Sequence, residues 1–215
     1  MRFFAFSYLF VKLGTALLIG ALCYAPVYAQ TSETLPEADI EGTVEGDDLE
    51  QLETRSAETL NSLFDDLRKQ TNSKAAQRIT QKIWREWGVS GSASIDLLML
   101  RVGEAMKNRR NGVALDLLDQ VITLAPDYAE GWNRRATLHY SMREFGRSIS
   151  DIERVLVLEP RHFGALSGLA VMLQALDRDQ KALETWYKVL QIYPANAQAQ
   201  TSVIKLEDKL AGNPT

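Results

Sequence analysis

The sequence predicts an all-α fold, a solenoid of stacked helix hairpins, and three observations carry that expectation. Pro126, Pro160 and Pro194 recur at an interval of 34 residues. Ahead of each runs an apolar stretch in one register: Val121-Ile122-Thr123-Leu124, Val155-Leu156-Val157-Leu158 and Val189-Leu190-Gln191-Ile192. Further upstream, Ala114, Ser148 and Ala182 are small at one shared place, while Leu118, Ile152 and Trp186 are large at another. Small against large lets neighbouring helices approach closely, and a unit of this length is a helix pair that cannot bury its apolar face alone. Three units, 95–128, 129–162 and 163–196, therefore stack, each ended by a proline that cannot donate the next helical amide.

The elements follow in chain order. Residues 1–29 have the pattern of an export signal: Arg2 and Lys12 supply the basic region, Leu13 to Val27 the apolar run, and Val27-Tyr28-Ala29 the small residues at a cleavage site. Lys12 argues against reading the whole segment as a retained membrane anchor, because it would lie inside a span that needs about 20 apolar residues. A bulky Leu22 ahead of Cys23 fits a lipidation signal poorly. Residues 30–48 carry seven acids and no base with Pro36, Gly42 and Gly46, so they predict a disordered acidic linker.

Residues 49–91 predict a helical hairpin. Leu49, Leu52, Leu60, Leu63, Phe64 and Leu67 recur at helical spacing, followed after Thr71-Asn72-Ser73 by Ala76, Ile79, Ile83 and Trp87. Ser73 is the expected cap of the second helix, and Gly88 with Gly91 ends it. This pair is expected to pack on the first repeat as an N-terminal cap, since the end of a stack must be covered and solvated. Residues 197–211 read as a final solvating helix. Turns are placed at Asn108 to Gly112, Arg143 to Gly146 and Asp177 to Asp179.

Composition narrows the function. The 215 residues are 46% apolar, enough for a core, with 28 acids against 24 bases and a net charge of −4. Losing Arg2 and Lys12 with the leader makes the chain more acidic still, which is the wrong sign for a nucleic-acid binder. Cys23 is the single cysteine and lies in the leader, so the mature chain has neither disulfide nor thiolate site. His139 and His162 have no companions at metal-ligand spacing, and no phosphate-binding or nucleophile motif is present. Packing is expected of His139, and solvent contact of His162 just past Pro160. Trp84, Trp87, Trp132 and Trp186 are expected mostly in the core. No enzyme activity and no cofactor is expected.

The units resemble tetratricopeptide repeats. The middle copy carries the resemblance in Ala129-Glu130-Gly131-Trp132, Ala136, Ser148-Ile149 and Leu158-Glu159-Pro160. The third carries it in Leu166, Leu169-Ala170, Ala182-Leu183 and Tyr193-Pro194, and the first, more loosely, in Leu98, Ala114-Leu115 and Leu124-Ala125-Pro126. The resemblance implies a right-handed superhelix whose concave groove is lined by places two, five, nine and twelve of each unit. Those are Asp96, Met99, Gly103 and Met106; Glu130, Asn133, Thr137 and Tyr140; and Gly164, Ser167, Val171 and Gln174.

Several members of the family clamp a terminal carboxylate with basic and amide groups, but Met99, Gly103, Gly164 and Gly168 stand in those places here. The implied partner is a neutral or weakly basic protein segment anchored by Tyr140 and Met106. At the seventh place the family prefers an apolar residue, as at Leu169, whereas this chain has Arg101 and Arg135; these are expected to bridge the first two units through Asp116, Asp119 or Glu153.

The implied function is a non-enzymatic protein–protein interaction scaffold, exported and periplasmic if the source is a bacterium, with no membrane span after cleavage. One alternative is an envelope coordinator similar to Tol-Pal-associated repeat proteins, which trimerise through heptads. Leu49 to Gln70 is too short and irregular for a confident coiled coil, so a monomer is favoured. A carrier of small hydrophobic ligands is a further alternative, and needs a closed cavity that three short repeats rarely provide.

Overall fold

A computed structural model describes residues 46–212, and these are all-helical: nine helices and no strand among the described residues. Residues 1–29, read as an export signal, and most of the range read as an acidic linker lie outside them. In chain order the helices are α1 (Gly46–Lys69), α2 (Ser73–Trp87), α3 (Ala93–Lys107), α4 (Asn111–Leu124), α5 (Ala129–Ser141), α6 (Phe145–Leu158), α7 (Phe163–Ala175), α8 (Asp179–Ile192) and α9 (Ala197–Leu210). The first helix begins at Gly46, inside the range assigned to the linker. Charge alone does not stop a helix whose apolar residues begin within its first turn.

α3–α4, α5–α6 and α7–α8 are antiparallel hairpins, each packed on the next, with α9 against α8. Their shared register is buried as one set. Ala114, Ala182, Leu118, Trp186, Val121, Val155 and Val189 are wholly enclosed, and Ser148 and Ile152 nearly so. Ser148 is tolerated there because its Oγ donates to the Ala136 carbonyl at 2.8 Å, so no buried hydroxyl is left unpaired. Gly131 serves the same close approach: a Cβ there would meet Val121 Cγ1 at 2.9 Å.

Each hairpin turns through a left-handed residue, at φ 55° for Arg109, 62° for Arg143 and 55° for Asp177. These positions are one repeat apart. In each, the next amide reaches five residues back, Arg110 to Ala105, Glu144 to His139 and Arg178 to Leu173, at 2.8 to 2.9 Å. That is the Schellman closure of a helix end, for which glycine is the preferred residue. Arg143→Gly is therefore expected to stabilise the fold by about 0.5–1 kcal/mol, the left-handed strain relieved less the extra chain entropy of glycine. Chemical denaturation measures it.

The N-terminal hairpin departs from expectation. Its apolar face does not cap the first unit. Leu63, Phe64, Leu67, Ala76, Ile83 and Trp87 close instead on Phe163 and Ala195, with Ile192 and Tyr193 at the margin. These residues lie in or beside the inter-unit turns that contain Pro160 and Pro194. The physical reason is aromatic matching: Trp84 and Trp87 meet Phe163 and His162, with Phe64 against Trp87, whereas α3 offers Leu97 and Leu100, both exposed.

A short connection makes this return possible, with Gly91 at φ 77°. The cap of α2 is Asn72 rather than Ser73; its side chain accepts from the Ala75 amide at 3.1 Å.

α2 and the connection after it run along the turn edge of all three units. Ser90 holds Asp96 at the start of α3, through its amide at 3.1 Å and its hydroxyl at 2.6 Å. Tyr128, at the start of α5, donates its hydroxyl to the Gly88 carbonyl at 3.1 Å. Burial, with Glu130 and Asp96 nearby, pushes the Tyr128 phenol up, so it remains a donor. Trp87 stacks on His162 at 4.1 Å, at the start of α7. No helix among the described residues is long and apolar enough to cross a membrane.

Candidate functional site

The concave site lies between α5 and α7. Asn133, Thr137 and Tyr140 project from α5, and Ser167, Gly168 and Val171 from α7. Ala136, Ile152 and Met172 form the floor, Gln198 of α9 the far side and Gly164 a further border, around an open cavity of about 280 Å³. The positions on α5 and on α7 are separated by three or four residues, which places them on one face of each helix.

The lining is chemically quiet. Thr137 Oγ1 donates to the Asn133 carbonyl at 2.9 Å and Ser167 Oγ to the Phe163 carbonyl at 2.7 Å, so both hydroxyls are engaged within their own helices. No lining residue is charged. Tyr140 stacks on Phe145 with centroids 5.8 Å apart and keeps 42% of its surface exposed, which leaves an amphipathic ring facing the cavity.

Six of the twelve places read from the sequence line this cavity, Asn133, Thr137, Tyr140, Gly164, Ser167 and Val171, and Gly103 of α3 does not. The other five are engaged elsewhere. Asp96 is held by Ser90, and Met99 and Met106 pack on the first unit's core around Val102 and Leu118. Gln174 accepts the Trp186 indole N–H at 2.9 Å. Glu130 is buried, accepting from Asn133 at 2.8 Å and Arg134 at 2.7 Å. Sequence reading did not place Ile152, Met172 or Gln198 in the groove.

His162 is corrected most sharply. It was expected in solvent and is fully enclosed. Its Nδ1 accepts the Ala165 amide at 3.1 Å, which caps α7 and puts the ring proton on Nε2 in the neutral form. Nε2 faces Glu130 at 3.7 Å, longer than a hydrogen bond. His139 is buried as expected, with Nδ1 2.7 Å from Glu144 Oε2.

Burial alone would push the Glu130 carboxyl up, but the His162 ring that faces it and its two donors, Arg134 and Asn133, outweigh this and hold it below the usual carboxylate range. A depressed carboxyl contributes stability that is complete above its unfolded value and lost as pH falls through its folded value. Acid titration of unfolding is expected to show a loss below the ordinary carboxylate range, and Glu130→Gln to flatten it while lowering stability at neutral pH.

Arg135 joins two units as expected, though through one different partner. It donates to Asp119 at 2.7 Å and, through two nitrogens, to Asp151 at 2.6 and 2.9 Å. Arg101 does not share this role and is exposed on α3.

Comparison with known proteins agrees with this architecture. No protein-family model matches the chain. A TPR repeat-containing protein of Rhizobium etli is 50% identical over 156 residues, 73% of this chain and 76% of that protein. The small glutamine-rich tetratricopeptide repeat-containing protein 2 of Saccharomyces cerevisiae is 29% identical over 49% of this chain and 30% of its own length.

Among solved structures, the first TPR of Spaghetti bound to an HSP90 peptide superposes with a TM-score of 0.51 at 20% identity, covering 54% of this chain and 93% of that one. The Sgt2 TPR domain of Aspergillus fumigatus gives 0.50 at 19%, covering 58% and 87%. With three hairpins one repeat apart, a shared buried register and a relative at half identity across most of both chains, this chain belongs to the tetratricopeptide-repeat proteins.

Proposed function

We propose that the chain is a non-enzymatic scaffold that holds an extended segment of another protein in the groove between α5 and α7. The observation that carries this is the lining itself: an open cavity with an exposed Tyr140, an apolar floor and no charged wall. Such a surface accepts backbone and apolar side chains and offers no acid–base chemistry. The Spaghetti domain, whose fold this chain shares, is seen with a peptide of HSP90. The same lining argues against an acidic tail as partner here, because a carboxylate would find no cation to pair with. Tyr140 and Val171 are the anchors at this cavity, and Met106, only partly buried, packs against the first unit's core.

The place of action proposed is the cell envelope, after export, and the periplasm if the source is a bacterium. Arg2, Lys12, the apolar run from Leu13 and Val27-Tyr28-Ala29 support it. Expression of the full chain with an export-dependent phosphatase fused at its C-terminus tests this; an inactive, intracellular fusion with residues 1–29 retained would refute it.

The groove is tested by selecting peptides from a random library on the purified protein. Tyr140→Ala with Val171→Arg is expected to weaken the selected peptides about tenfold or more, with the melting temperature little changed. Unaltered binding by this variant would remove the groove from consideration.

A further inference from the structure

The outer face of α2 carries charge that the fold does not use. The helix holds four bases, Lys74, Arg78, Lys82 and Arg85, and one acid, Glu86. All four bases are exposed, and none forms an ion pair among the described residues. At the helical repeat they fall within an arc of about 80° and span about 17 Å along the axis. That arc lies opposite Ala76, Thr80, Ile83 and Trp87, the residues that α2 buries. Gln77 and Gln81 flank it on one side, and Glu86, half-buried, stands outside it. The result is a convex ridge of four positive charges on a helix packed firmly from behind.

The stability of the helix does not select this ridge. Lys74 stands in the first turn, where the helix dipole favours acids and α2 has none. Lys74 with Arg78, and Arg78 with Lys82, are like charges four residues apart, an arrangement that weakens a helix. A face made only to be solvated is served as well by both signs, as Asp65 and Arg68 show on α1. The chain as a whole has a net charge of −4, so four uncompensated bases on one stripe run against its composition too.

We infer that this ridge docks the protein on an anionic lipid surface, the headgroups of a bilayer rich in acidic phospholipid. Charge complementarity gives the sign of the partner, and shape gives its kind. The outer face of a helix is convex and offers an acidic peptide no groove, whereas a plane of headgroups meets every charge in the row at once. With a net negative molecule behind it, the attraction acts at close range, within about 10 Å at about 0.1 M salt, and turns α2 toward the bilayer. None of the four residues lines the groove between α5 and α7, so this inference does not rest on the groove reading.

The chain beginning at Gln30, the product expected of export, is used so that the apolar leader contributes nothing. Co-sedimentation compares vesicles of phosphatidylglycerol and phosphatidylcholine in equal parts with vesicles of phosphatidylcholine alone. The protein is expected to bind the first and not the second, and to be released as salt is raised. Arg78→Gln with Lys82→Gln is expected to weaken binding about twentyfold or more, at about fivefold for each base. Its melting temperature should change little, because both sites are in solvent and glutamine suits a helix. Arg78→Lys with Lys82→Arg is expected to bind as the parent does. Arg143→Gln with Arg178→Gln, which removes two exposed bases from the hairpin turns, should leave binding within about twofold of the parent.

Equal binding to both kinds of vesicle, or binding to neither, overturns the inference. So does a preference for the acidic lipid that survives Arg78→Gln with Lys82→Gln, or that the hairpin-turn variant weakens as much. Poly-glutamate that binds the ridge more tightly than the acidic vesicles, charge for charge, would overturn it as well and assign the ridge to an acidic protein.

Discussion

Trp186→Ala is expected to lower the stability of the fold by about 3–5 kcal/mol, the cost of emptying a fully enclosed indole site that cannot collapse. Trp186 is completely buried in the cluster of Leu166, Ala170, Leu173, Ala182, Val189, Ala199 and Val203, where α7, α8 and α9 meet. Its indole N–H is also the donor to Gln174, which would lose that partner. Leu118 and Ile152 hold the equivalent places in the other units and are smaller, so the third unit depends on one residue more than its neighbours do.

In a stack where each hairpin touches mainly its neighbours, damage at one end loosens that end first. Urea unfolding followed by circular dichroism should therefore show a lower midpoint with a broadened or stepped transition. Trp186→Phe should cost distinctly less than alanine.

The second large effect is expected at Arg135. Asp151 is 4% exposed and is held by two nitrogens of this one guanidinium, with Asp119 of the preceding unit on the third. Removing the arginine leaves a buried carboxylate without its counter-charge, a loss of about 3–5 kcal/mol. Arg135→Lys should recover little, because an ammonium cannot reproduce the planar fork.

The repeat itself contains the control. One unit later, Leu169 stands in the place of Arg135 and Thr185 in that of Asp151, with the Thr185 hydroxyl donating to the Lys181 carbonyl at 2.7 Å. Arg135→Leu with Asp151→Thr copies that solution and is expected to regain most of the stability that Arg135→Leu alone removes. Thermal unfolding of the single and double variants measures the coupling. The same comparison explains Arg101. One unit earlier, the place of Asp151 is taken by Leu117, so that arginine has no buried acid to meet and stays in solvent.

Much of this architecture was legible in the sequence because a repeat states each constraint three times. Ala114, Ser148 and Ala182, then Leu118, Ile152 and Trp186, could be aligned without any structure, and all six are buried. The destination of α1 and α2 was not legible. Periodicity shows that a helix has an apolar face and is silent on what that face meets, and neighbours in sequence are not always neighbours in a stack.

His162 was misread for the same reason: a histidine after proline looks solvent-exposed until Trp87 is laid over it. The left-handed turns at Arg109, Arg143 and Asp177 were hidden because no glycine marks them. Two glycines did carry a signal. Gly131 and Gly164 sit inside helices, where glycine is costly, and each lies within 3 Å of where another side chain excludes a Cβ. Of the twelve places read from the repeat, six line the cavity, and most of the others meet local partners that a repeat pattern cannot foresee.

The brace along the turn edge has a mechanical consequence. Asn61 Oδ1 accepts from Arg161, whose guanidinium lies 4.2 Å from the centre of the Phe64 ring, so α1 is tied to the junction of the second and third units. Tension applied through the residues that precede α1 would reach this rear junction before it reached α3. A pulled molecule should yield first where α1 lets go of Arg161, before the stack itself begins to unravel.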